Sequence, residues 1–179
     1  VKLFLWEKRA PVQPARGTIL FVHGSSMAST PAFDLPLPGN PDASLMEWFA
    51  HRGFDTWCVD MEGYGRSSKH RDINCDIANG ADDLVAATDY IMKTRGTKQF
   101  LMYGSSSGGL RAAKFAERHA GLLRNLADFT ADAIDRHLFV GREIAPLLVE
   151  LCDRLQPRVV GLVANIAVEE VLAADLQVV

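Results

Sequence analysis

The stretch that decides the fold is FLMYGSSSGGLRAAKFAERH, residues 100–119. An apolar run ends at Gly104, three serines and two glycines follow, and an alanine-rich amphipathic segment closes the stretch. The order predicts a buried strand over 99–104, a sharp turn, and a helix over 107–119. Gly104-Ser105-Ser106-Ser107-Gly108 fits the spacing G-x-S-x-G. Its physics is steric. A side chain thrust up from a strand-to-helix corner sits on a strained backbone, so the residues two positions away must be tiny. The helix that follows aims free N–H groups and its positive end at the corner, where they favour a developing negative charge. The pentapeptide alone also suits a serine-rich turn that merely caps a helix. Its place between a buried strand and a helix favours Ser106 as a nucleophile, with the N–H of Ser107 as a donor to an oxyanion.

Two further stretches share this setting. TILFVHG (18–24) is a short apolar run of strand formers stopped by glycine, as a buried parallel strand reads. His23 and Gly24 then open a long Ser/Pro/Gly-rich loop over 25–41. Gly24 lets backbone approach a bound molecule, and the N–H of Ser25 is the second candidate oxyanion donor. The His23 side chain is read as structural and the loop backbone as functional. FDTWCVD (54–60) is the next strand, and MEGYGRSSKHRDINCD (61–76) a second polar loop. Asp60 and Arg66 read as loop-fixing residues rather than acid and base, and Gly63 and Gly65 as suppliers of unusual backbone angles. Residues 2–9 resemble an edge strand or hairpin arm. Asp42 and Ser44 can cap a helix reaching about Arg52, and apolar residues from Ile77 to Ile91 recur at helical spacing in a helix that Gly96 ends.

Alternating strands and helices predict an α/β fold: a mostly parallel sheet with flanking helices. HGSSM, EGYGRSS and GSSSGG then all fall at the carboxyl ends of strands, where such sheets form their ligand crevice.

HGSS, DMEGYGRSS and GSSSGG, in this order and spacing, resemble the amino-terminal half of the α/β-hydrolase superfamily over about residues 2–120. The resemblance implies an eight-stranded, mostly parallel sheet, a nucleophilic serine, no cofactor, and usually hydrolysis of an ester, thioester or amide, in a superfamily that also includes acyltransferases and lyases; no metal is expected. Ser106 carries over as nucleophile, the N–H groups of Ser25 and Ser107 as oxyanion donors, and His23, Gly24, Gly104 and Gly108 as their supporting loops. The expected partner is a small-molecule acyl substrate, with the Phe and Leu residues of 25–45 walling an apolar pocket.

Beyond residue 120 the pattern departs from the superfamily, which orders nucleophile, acid, then histidine. Leu122, Leu126, Phe129, Ala133 and Ile134 share one helical face, as do Ile144, Leu147, Leu148, Leu151 and Leu155, so 121–179 reads as an atypical, mainly helical tail on a single 1–179 domain. The tail would cover the sheet or join a second copy as a homodimer. His119 lies ~20 Å along its helix from Ser106. His51 and His70 precede the nucleophile, and His137, below Asp128, Asp132 and Asp135, reads as a solvated-face residue. With acid and base unidentified, a serine is a weak nucleophile and the expected hydrolase is impaired. Three readings stay open: a chain truncated or misjoined near 120, which the abrupt change favours; a short variant using the tail as a cap; and a non-catalytic relative that binds rather than cuts.

The totals fit this picture. A chain of 179 residues that is 48% hydrophobic supports one domain with a real core. A net charge of −3 with no basic block argues against nucleic acid and anionic membrane. No apolar run reaches the ~18 residues of a membrane span, and no signal peptide is recognised. The chain opens at Val1, so a leader or tag is expected to have been removed or left out. Cys58, Cys75 and Cys152 form no CxxC pair, which argues against zinc and fits reduced thiols in a cytoplasmic protein.

Overall fold

The computed structural model describes residues 1–129 apart from 41–42 and 72–74. Its centre is a five-stranded sheet in the order β1-β3-β2-β4-β5. The strands are β1 (Phe4–Lys8), β2 (Gly17–Val22), β3 (Phe54–Asp60), β4 (Phe100–Ser105) and β5 (Leu123–Phe129). β1 runs antiparallel to β3 at one edge. All other pairings are parallel: β2 with β3, β2 with β4, and β4 with β5.

Alternation along the central strands splits the core into two layers. Leu20 and Val22 of β2, Trp57 and Val59 of β3 and Met102 of β4 pack against Leu84, Ala87 and Ile91 of α3 (Ile77–Arg95) and against Ala112 and Phe115 of α4 (Ser107–His119). Ile19, Phe21, Cys58 and Leu101 face the other way. They meet Phe33 of α1 (Ser29–Phe33) and Met46, Trp48 and Phe49 of α2 (Leu45–His51). With both faces covered, each fully buried large side chain contributes about 1.5–3 kcal/mol.

The helices start and stop where their caps dictate. The Ser44 hydroxyl accepts from the Glu47 N–H at the head of α2. At the head of α3, Asp76 accepts from the Asn79 N–H while the Asn79 side chain accepts from the Asp76 N–H. Gly96 ends α3 at φ +70°, a left-handed turn that glycine enters freely.

Two elements differ from the sequence reading. The 25–41 loop contains a helix, α1, held by Ser29, whose N–H and hydroxyl both donate to the Asp60 carboxylate. Residues 123–129 are strand rather than the opening of a helix, with Phe100–Ser105 paired along them in parallel. The Leu122–Leu126–Phe129 spacing suits a helix, but the open edge of β4 offers a row of unpaired backbone groups, and pairing with that edge overrides local pattern. The sheet therefore continues past the expected boundary at residue 120. The second apolar stripe, His137, Cys152 and the apolar run RVVGLVANIAV (158–168), which by its sequence could be one further strand, lie outside the described residues.

Candidate functional site: a serine elbow facing a histidine–glycine loop

Ser106 stands between the last residue of β4 and the first residue of α4, at φ +58°. Left-handed backbone is costly for a side-chain-bearing residue, of order 1–3 kcal/mol, and persists only where the surroundings enforce it. The enforcement here is close packing of backbone on backbone. A Cβ on Gly104 would lie 2.5 Å from the Gly109 Cα, and a Cβ on Gly108 would lie 2.2 Å from the Val22 carbonyl oxygen. The helix can therefore leave the strand abruptly and tuck its first turn against the end of β2. The Gly109 N–H donates to the Ser106 carbonyl at 2.9 Å and closes the corner. The Ser106 side chain is half-buried at the head of α4.

Opposite the corner lies the end of β2. A Cβ on Gly24 would meet the Ser106 Cβ at 2.8 Å and its Oγ at 3.2 Å, so these two loops touch through the missing methyl. His23 is fully buried, and its ring tethers the loop. The Met61 N–H donates to Nε2 at 3.0 Å, so the proton sits on Nδ1, which donates to the Gly24 carbonyl at 2.6 Å. In a trans peptide the N–H points opposite to the C=O. With the Gly24 oxygen turned to the ring, the Ser25 N–H points away from it. Burial is the chief cause that holds His23 below the ordinary imidazole pKa, and the nearby Arg111 charge adds to it. The ring is a neutral tether. The hydroxyls of Ser25 and Ser107 lie 2.7 Å apart, which joins the two candidate donor residues across the crevice.

The loop after β3 is fixed from below. Asp60 is 1% exposed. Its carboxylate accepts from Ser29 and from the Arg66 N–H, and a Cβ on Gly65 (φ +48°) would lie only 2.0 Å from its Oδ2. Burial pushes its pKa up, but these hydrogen bonds outweigh burial and hold it below the ordinary value. Arg66 lies over the Phe4 ring and donates to the Thr30 hydroxyl. Neither group is turned to Ser106 by any of these contacts. Buried Glu62 pairs with Arg71. Asp83 accepts from the Glu62 N–H and is pushed above its usual range by burial and by the Glu62 charge.

The other candidates separate. His51 is exposed beside Glu47, His70 is exposed on the 61–76 loop, and His119 stacks on Phe115 in the last turn of α4. Burial pushes the Cys58 thiol up to about 12, so it is not a competing nucleophile. Among the described residues no group of His, Cys, Asp and Glu is placed to hold a metal, and no helix is long and apolar enough to cross a membrane. A groove of about 820 Å³ between β1 and α3 includes none of residues 23–25 or 104–108. Sequence reasoning missed Ser29 and Arg111. The only local sign of Arg111 is a charge among the small and apolar positions of α4.

Solved structures with the same fold include a CIB-like hydrolase from Thermoplasma acidophilum (19% identity, TM-score 0.52, covering 70% of this chain and 56% of that one). Est1E from Butyrivibrio proteoclasticus, solved with ferulic acid bound, matches at 20% identity and TM-score 0.53 over 69% and 47% of the two chains. A monoacylglycerol lipase from Paleococcus ferrophilus matches at 20% identity and TM-score 0.54 over 80% and 52%. The chain thus spans about half the length of these proteins. The search of curated proteins found no match. The family model for serine aminopeptidase, S33, matches residues 13–165. That match takes in β2 through β5 with both loops of the crevice, and on it the chain belongs to the S33 serine aminopeptidase family of α/β hydrolases.

Proposed function

We propose that the protein is a serine-dependent hydrolase of a small ester, thioester or amide, with Ser106 as nucleophile and the N–H groups of Ser25 and Ser107 as oxyanion donors. The observation that carries this reading is Ser106 held at φ +58° on a strand-to-helix corner against Gly24. A turn that only caps a helix has no need of that strain.

In the proposed reaction the Ser106 Oγ attacks the acyl carbon, and its proton passes to a base. The carbonyl π electrons move to oxygen, and the oxyanion is met by the two N–H groups and the amino end of α4. Collapse expels the alcohol, thiol or amine, which takes up a proton. Water then attacks the acyl–Ser106 ester and releases the acid. No described histidine is in place to serve as the base. Template enzymes that lose a triad member keep about 10³–10⁴-fold over water through the oxyanion hole and binding. Slow turnover with measurable acylation is therefore the expected behaviour.

A fluorophosphonate probe tests this, because it records a single acylation-like event. Labelling that maps to Ser106 and is lost in Ser106→Ala supports the reading, and a folded protein that resists the probe refutes it. The placement of the described histidines favours a second reading, a family member that binds acyl compounds without cutting them. That protein would bind such compounds reversibly and take no label.

A further inference from the structure

We propose that Arg111 is a positioning residue for the oxyanion loop: from inside α4 its guanidinium grips the His23 carbonyl and so sets the Gly24–Ser25 peptide against Ser106. The proposal rests on the reading of Ser25 as an oxyanion donor.

Arg111 is 2% exposed, five residues past Ser106 on the helix that the elbow launches. Its Nη1 donates to the His23 carbonyl at 2.9 Å. The same carbonyl is approached by Gly108, whose Cβ would lie 2.6 Å from it, so the peptide after His23 is pinned by two points of one helix. The guanidinium lies 5.6 Å from the Tyr64 ring centre, and Tyr64 in turn packs edge-on against the His23 ring at 4.8 Å. On its outer side α3 closes over it. A Cβ on Gly80 would fall 2.5 Å from the Arg111 Cδ, so only glycine leaves room for the arginine stem. A buried carboxylate of α3, Asp83, feels the Arg111 charge, which works against the burial that raises the Asp83 pKa.

Stability alone is a poor reason for this residue. A buried guanidinium loses its hydration, and the Arg111 Nε has no hydrogen-bond partner. A methionine would fill much of the same volume without that penalty. What methionine cannot do is donate to the His23 carbonyl. That bond links the nucleophile helix directly to the loop bearing the second oxyanion donor, so the two halves of the hole move as one body.

The test uses the full chain with Arg111→Met and Arg111→Lys. Fluorophosphonate labelling of Ser106 is resolved into reversible probe binding and the covalent step, and the His23 ring nitrogens are followed by NMR. Circular dichroism reports folding. Removing one oxyanion donor costs about 10²–10³-fold, and a donor left in place but misaligned costs less. The expected result is a covalent step slowed about tenfold or more in Arg111→Met, partial recovery in Arg111→Lys, unchanged reversible binding, and displaced His23 Nδ1 and Nε2 resonances. A folded Arg111→Met that labels at the wild-type rate with unmoved His23 resonances overturns the proposal. Should the methionine variant fail to fold, the same pair of readings on Arg111→Lys decides. If wild-type protein takes no label, the hydrolase reading falls. The His23 resonances then still report whether Arg111 holds the loop.

Discussion

Replacing Gly24 with alanine puts the proposed site to its most direct test. The backbone at Gly24 lies outside the left-handed region, so alanine meets no torsional objection there. The objection is space. The new methyl would sit 2.8 Å from the Ser106 Cβ and 3.0 Å from the Ser105 carbonyl oxygen, whereas ordinary contact begins at 3.4 Å, so something must yield by about 0.6 Å. Ser106 cannot retreat easily, because Gly104 and Gly108 already place α4 against β4 and β2 with no slack. The histidine–glycine loop therefore moves, and the Ser25 N–H moves with it. Overpacking of this kind costs about 1–3 kcal/mol of stability. A misplacement of 1 Å can cost about 10²-fold in rate, so 0.6 Å predicts a loss between about tenfold and about a hundredfold. The assay is the second-order rate of fluorophosphonate labelling, with thermal unfolding measured on the same samples. Gly96→Ala serves as the control. It sits at φ +70° with no atom within 4 Å of a new Cβ, at the opposite end of β4 from Ser106. It should lose about 1 kcal/mol of stability and no labelling rate. Wild-type labelling by folded Gly24→Ala would refute the claim that this loop forms half of the site.

Two further predictions follow from the same contacts. Ser25→Ala and Ser107→Ala each break the 2.7 Å hydroxyl pair, so a double-mutant cycle on labelling rate should show the double variant no worse than the poorer single one, with coupling of about 0.5–1 kcal/mol; additive losses would show that the hydroxyls act apart. Asp60→Asn should lower the melting temperature at pH 7, because it weakens the acceptor shared by Ser29 and Arg66. Its folded pKa lies below the ordinary 3.8, so its stabilisation is complete above that value and disappears as pH falls through the folded one. The gap between wild type and variant, read by thermal unfolding, should therefore narrow below about pH 4, and a gap that persists would assign the effect to something other than the charge.

Much of the fold is legible in the chain because its strands are buried on both faces. β2 and β4 read as short apolar runs, β3 as a run of strand formers around Trp57, Cys58 and Val59, and the observed bounds of all three fall within a residue or two of the expected ones. α3 announces its end through Gly96, and α4 announces its start through the elbow itself. The failures share one cause. Residues 123–129 carry helical spacing and lack strict alternation, and only the neighbouring edge of β4 makes them a strand. α1 is five residues long, too short for any period to show. Its start has no side-chain cap, and Ser29 holding Asp60 across the crevice sustains it. Both are decided by partners distant in sequence, which local pattern does not record.

The crevice divides along the same line. Ser106, Gly24, Gly104 and Gly108 were readable because their requirement is negative: a methyl at any of these glycines would strike backbone or the serine itself. A need for absence leaves a mark that sequence displays, since only glycine satisfies it. Arg111 and the Nδ1–H form of His23 are set by positive contacts instead, drawn from β2, α3, α4 and the 61–76 loop. Many residue types could occupy such positions, and nothing in the local sequence selects among them. Yet these contacts decide which way the Gly24–Ser25 peptide faces. The glycines bring the two loops into touch, and the buried polar groups then set the orientation of the one N–H that the proposed chemistry most needs.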